Sequence, residues 1–163
     1  MQAWLLRMTG ARSGEMAASL WSFLYFFCLL AGYYILRPIR DEMAVQVGQK
    51  HLHELFTTVF VCTLVIIPIF GWLNKTFPRR TLLPWLYLFF IVHLVGFYVW
   101  MQNPTDLTAR AFFVWVLVFN LFAISVFWSF MADLFPSDQA KRLYGFIAAG
   151  GTVGGLVGPS LTA

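Results

Sequence analysis

The stretch "LFTTVFVCTLVIIPIFGWL", Leu55 to Leu73, carries no Asp, Glu, Lys or Arg, and it has the length a helix needs to cross the hydrocarbon core of a bilayer. Its apolar residues run on continuously instead of returning every third or fourth position, so no face is left for water. A barrel strand would be about half as long and would alternate in polarity, whereas a helix satisfies its own backbone groups in lipid.

Four more blocks of this kind flank it, at Met16–Leu36, Thr81–Met101, Ala111–Ala132 and Leu143–Ala163. Composition agrees: of 163 residues 60% are hydrophobic, 19% aromatic and only 11% charged, more apolar surface than a soluble core absorbs. The sequence therefore predicts an all-α membrane protein of five transmembrane helices. Residues 1–15 form a cytoplasmic N-terminal segment and 16–163 a partial helical bundle. The first block is too long for a signal-peptide core and is not followed by a cleavage pattern, so it stays in the membrane. Before it, Trp4, Leu5 and Leu6 interleaved with Arg7 and Arg12 suit a short segment lying on the membrane surface.

The net charge of +4 sits between the apolar blocks, where bases act as topology signals rather than as a nucleic-acid surface. Arg7, Arg12, Lys75, Arg79, Arg80, Lys141 and Arg142 fall on one side, and Arg37, Arg40, Lys50 and Arg110 on the other. The more basic side, with the N-terminus, is expected to be cytoplasmic. Cys28 and Cys62 lie inside apolar blocks and read as small buried residues. In "HLHE", His51 and His53 are two apart and share no helical face, so no metal site is expected. No cofactor is expected either. Without a Gly-x-Ser-x-Gly, a His-Glu-x-x-His or paired intramembrane acids, no catalytic residue and no enzyme is expected.

Three loops and helix ends carry more specific patterns. "GWLNKTFPRRTLL" resembles the signature loop of the major facilitator superfamily, with Gly71, Leu73, Arg79 and Arg80 in matching places and Lys75, Thr76 and Pro78 departing from it. The same bases also read simply as positive-inside topology. "FWSFMADLFPSDQAKRLYGF" is similar to a further cytoplasmic loop of that superfamily. The resemblance implies that Arg79, Arg80 and Asp133 act at a cytoplasmic gate; as a plain interfacial residue, Asp133 would only meet water. "YGFIAAGGTVGGLVGPSLTA" has Gly150, Gly154 and Gly158 four apart, followed by Pro159. It resembles the fifth-helix motif of major facilitator antiporters, where such residues let the helix pack and slide. Generic small-residue helix packing gives much the same pattern.

The end of the first block reads "YYILRPIRDEMAVQVG". Pro38 is expected to bend or end the helix, turning Arg40 toward a central cavity where its planar fork suits phosphate or carboxylate. Alternatively Arg37 and Arg40 snorkel to lipid headgroups while Asp41 and Glu42 neutralise them. The segment resembles the first-helix region of the ATP/ADP antiporter branch of the superfamily. That resemblance implies Arg40 as the leading anion contact, Arg37 as the second, and Asp41 as the partner that orients or releases Arg40. Fourth helices line the cavity in that architecture, which adds Asn120, able both to donate and to accept hydrogen bonds; the other reading of Asn120 is a hydrogen bond that joins two helices. His93, an ionisable group inside a span, is by default a functional candidate, while the resemblance, in which third helices lie outside the cavity, implies a hydrogen-bonded structural histidine.

Taken together, the resemblance implies the start of a major facilitator N-terminal six-helix bundle, a fragment whose partners are the lipid bilayer, a small anionic solute and the remaining transporter helices. The function it implies is secondary transport by alternating access, for a nucleotide or phosphate compound and in the form of ATP/ADP exchange. The expected location is a bacterial cytoplasmic (inner) membrane. The other reading is a non-transporting interaction or assembly protein that uses the glycine face of span five to bind another helix bundle.

Overall fold

The computed structural model describes residues 15–162, and for Gln49, Arg79 and Arg80 the backbone alone. The surface segment expected before Glu15 lies outside the described residues. Five long helices follow one another: α1 (Met16–Val47), α2 (Leu52–Thr76), α3 (Arg79–Trp100), α4 (Asp106–Leu134) and α5 (Ser137–Ser160), with a single 3-10 turn at Gln49–His51 between the first two. The all-helical membrane architecture read from the charge-free blocks is the one observed.

The helices outrun those blocks because charged flanks stay helical. α1 has 32 residues, about 48 Å of helix against a hydrocarbon core of about 30 Å, so its charged C-terminal third extends past the apolar layer. Of the two outcomes expected at Pro38, a bend or an end, the end is not seen, since α1 continues to Val47 with Pro38 in its interior. One lost N–H is tolerated where the turns on both sides keep their own bonds. The actual stop is Gly48, whose φ of 90° is a left-handed value that costs a residue with a Cβ dearly. Its N–H donates to the Ala44 and Val45 carbonyls at 3.3 and 3.1 Å, closing the helix end.

Four helices carry an apolar window long enough to cross a membrane, namely α1, α2, α3 and α4. Only 6% of the α2 window is buried inside the protein, against 44% for α4, and α2 presents Phe56, Phe60, Leu64 and Ile67 outward. Such a surface is stable against acyl chains and not against water. α5 falls short of the hydropathy of a span because glycines dilute it and Asp138, Lys141 and Arg142 occupy its first turns. Its packing explains the difference.

The chain divides into two compact units. One comprises α1 up to Pro38, α4 from Phe122 and α5, and the other comprises Ile39–Leu121. In the first unit α5 lies directly on α1. A methyl built on Gly150 would stand 2.5 Å from the Phe23 carbonyl oxygen and one on Gly158 2.7 Å from that of Ala31, while one on Gly154 would collide with the Phe27 carbonyl. Arg142 Nη2 donates to Glu15 Oε1 at 3.1 Å, 127 positions away, and the three glycine contacts keep that same offset. Contacts that climb both helices in step, four residues at a time, mean that α1 and α5 run parallel at backbone contact. The rest of this unit closes on aromatic packing, with Phe26 and Phe127 stacked at 4.4 Å and Trp128 against Tyr144 at 5.2 Å. Because α1 already occupies the glycine face, that face is not open to a second helix bundle, which removes the surface on which the interaction-protein reading relied.

In the second unit Val47, Leu55, Ala109 and Phe113 form a buried core with Met43, Ala44, Leu52, Val59, Val114 and Leu117 against it. α3 meets α4 through Phe90 on Phe119 at 4.8 Å and Phe97 on Phe112 at 5.3 Å.

Substituting Gly154→Val should lower the thermal midpoint of the purified protein by several degrees, overpacking of this kind costing roughly 1–3 kcal/mol. Gly145→Ala is the control: a methyl there meets nothing within 4 Å, so the midpoint should hold or rise, since Gly inside a helix is disfavoured relative to Ala. Equal behaviour of the two variants in thermal unfolding would contradict the close approach.

Candidate functional site

The extension of α1 beyond the apolar layer carries the residues expected to touch a solute. Arg40 is largely covered, its side chain 12% exposed. Its Nε donates to Asp41 Oδ1 at 2.9 Å, and its guanidinium lies over the Phe113 ring of α4 at 5.8 Å. An aromatic face on one side and a carboxylate on the other hold the fork in place. Asp41 is 54% exposed, so it is the easier of the two to draw away. Arg37, three residues earlier on the same helix, is exposed and sits over the Tyr34 ring at 5.5 Å.

Asn120 lies on α4 seven residues beyond Phe113, which places it on the same face about 10 Å further along. Its Oδ1 is buried with no hydrogen-bond partner among the described residues. A buried carbonyl oxygen without a donor is costly, and groups of this kind call for an explanation in a solute, a water or an ion. The structure thus brings Arg40 and Asp41 into direct contact and sets Asn120 two turns along the helix against which Arg40 rests.

The other expected residues are placed separately. Arg79 and Arg80 open α3, and their side chains lie outside the described residues. Asp133 is exposed next to the C-terminal end of α4. Gly150, Gly154 and Gly158 face α1 as described above, and Pro159 is the penultimate residue of α5. His93 Nδ1 is 2.8 Å from the Phe89 carbonyl, one turn back on its own helix. A carbonyl only accepts, so Nδ1 carries the proton, and in the neutral ring Nε2 is left as an acceptor. His51 and Glu54 of "HLHE" pair with each other, Nδ1 to Oε1 at 3.1 Å.

One cluster escaped the reading of the sequence. Arg110, half-buried near the start of α4, donates through Nη1 to Glu54 Oε2 of α2 at 2.9 Å and through Nε to Asp106 Oδ2 at 2.7 Å. It ties the first turns of α2 and α4 together, over the core formed by Leu55, Ala109 and Phe113. The Asp106–Arg110 half has the i,i+4 spacing of a helix pair and is visible in the sequence. The Glu54 half joins residues 56 positions apart and follows only from the fold. Arg110→Met should lower the thermal midpoint by leaving two carboxylates facing each other, and Arg110→Lys should lower it less. The loss should shrink as salt is raised, because these charges are reached by solvent. A loss independent of salt would show that packing by the Arg110 stem, and not its charge, carries the effect.

No curated protein and no solved structure matches the chain. The family model described as Major Facilitator Superfamily matches residues 5–162, nearly the whole length. With its succession of long apolar helices, this chain belongs to the major facilitator superfamily of membrane transporters.

Proposed function

We propose that this chain forms part of a secondary transporter that works by alternating access and carries a small anionic solute, a nucleotide or another phosphate compound. The observation that carries the reading is Arg40. A nearly covered guanidinium lies on an aromatic ring beside a more exposed carboxylate, an arrangement in which an incoming anion takes the place of Asp41. Asn120, with its buried unpartnered oxygen, is the second proposed contact in the same unit, its amide turning to give or accept a hydrogen bond as the solute requires. Arg37 is a further cation on the same helix. ATP/ADP exchange is the specific form suggested by the likeness of "YYILRPIRDEMAVQVG" to that antiporter branch.

In this proposal two helical bundles rock about a midplane site, so these five helices act together with further transmembrane helices. Arg79, Arg80 and Asp133 bias the cytoplasmic gate. The excess of Lys and Arg on the N-terminal side favours an N-terminus in the cytoplasm, and the proposed location is a bacterial inner membrane.

The test is uptake of labelled ATP, ADP and inorganic phosphate into proteoliposomes containing the full-length protein. At least one of these anions should be taken up, and Arg40→Ala should reduce uptake roughly tenfold or more, the factor expected for losing a charge-assisted bond. Arg40→Lys should recover part of it. Uptake unchanged by Arg40→Ala would remove this residue from the site, and uptake of only neutral or cationic solutes would overturn the anion reading.

A further inference from the structure

The hairpin that joins α2 to α3 holds a groove of about 290 Å³, lined by Leu73, Phe77, Thr81, Leu82 and Trp85. α2 ends where Phe77 turns extended, its N–H donating to the Leu73 carbonyl at 3.0 Å, and Pro78 leads into α3. The wall on α3 runs from Thr81 to Trp85, four residues along one face and about 6 Å along the axis. Apart from Thr81 the lining side chains are aliphatic or aromatic, and Phe77 and Trp85 are exposed, so the groove is open to its surroundings. Trp72 is exposed beside it, its ring edge-on to Phe77 at 6.3 Å. Exposed indoles at the end of an apolar span belong at headgroup level.

Charge says what fills the groove. Lys75, Arg79 and Arg80 stand on the two sides of the turn, and from Leu55 to Thr105 the sequence has no Asp or Glu to set against them. Lys75 is exposed and makes no ion pair among the described residues. Bases at this depth attract anionic headgroups, while the slot beside them suits hydrocarbon. A soluble anion would leave the slot empty and a neutral lipid would leave the bases unused, so the matching occupant carries both parts. We propose that this groove binds an anionic phospholipid. Lys75, Arg79 and Arg80 meet its phosphate-bearing headgroup, the Thr81 hydroxyl donates to a phosphate oxygen, and the first part of an acyl chain lies along Leu73, Leu82 and Trp85. The site is separate from Arg40 and Asn120 and does not depend on the reading given to them.

Native mass spectrometry of the full chain with defined lipids tests each part. From an equal mixture of phosphatidylglycerol and phosphatidylcholine with matched chains, the protein should retain phosphatidylglycerol about fivefold better or more, the factor for one base at a membrane surface. Lys75→Gln should lower that preference, and the triple variant Lys75→Gln, Arg79→Gln, Arg80→Gln should abolish it. Lys141→Gln, which removes an exposed base of α5, should leave it unchanged. Trp85→Ala, with every base in place, should weaken retention of phosphatidylglycerol about threefold through lost apolar contact. Inorganic phosphate at the lipid's concentration should not displace it. Equal retention of the two lipids by the unsubstituted protein would overturn the proposal. So would an equal effect of Lys75→Gln and Lys141→Gln, which would trace the preference to overall charge, and so would displacement by phosphate, which would assign the bases to a soluble anion. Lys75 and Lys141 are both exposed, so their comparison decides even where Trp85→Ala does not fold.

Discussion

The close approach of α5 to α1 is the constraint on which the remaining structure depends. Backbone contact at every fourth residue is available only where the contacting residue has no side chain, and Gly150, Gly154 and Gly158 supply that for three consecutive turns. In lipid no hydrophobic effect presses helices together, so the packing gained from close backbones has to hold the pair. The contacts also have a direction. Two parallel helices joined by one chain require an odd number of crossings between them, and α2, α3 and α4 supply three. The parallel pair thus supports α5 as a membrane-crossing helix although its hydropathy alone does not.

Three arginines that flank the apolar blocks are paired with carboxylates. Arg40 has Asp41, Arg110 has Glu54 and Asp106, and Arg142 has Glu15. The Arg110 and Arg142 pairs lie near helix starts, whereas Arg40 and Asp41 sit two turns before the end of α1. The buried side-chain polar atoms left without partners among the described residues, Asn120 Oδ1 and Trp115 Nε1, are both on α4 and both in the second unit. That helix carries aromatic rings on one course and these two unpaired groups among them, and the proposed solute contact at Asn120 is one of the two.

The existence and order of the helices were legible in the sequence because a charge-free block of bilayer length has few other structures open to it. Helix ends were less legible, since Arg37, Arg40, Asp41 and Glu42 tell where the apolar layer stops and nothing about where the backbone stops turning. Gly48 settles that through its left-handed φ, and a glycine in a polar loop carries no such message by itself. The stripe Gly150, Gly154, Gly158 announced a close neighbour without naming α1. Arg110 was read for topology alone because its partner Glu54 is brought near only by folding, and the unpaired state of Trp115 and Asn120 depends on surroundings that spacing does not reveal.

The parallel register of α1 and α5 is most directly measured by thiol cross-linking in membranes, with Cys28 and Cys62 first replaced by Ser. A chain carrying Glu15→Cys and Arg142→Cys should be joined rapidly by a short bifunctional reagent, because these side chains touch across 127 positions. A chain carrying Glu15→Cys and Ser160→Cys should remain unjoined, the two sites lying at opposite ends of a parallel pair. Rapid joining of the second chain and not of the first would mean antiparallel helices, contradicting the packing and the order of membrane crossings that rests on it.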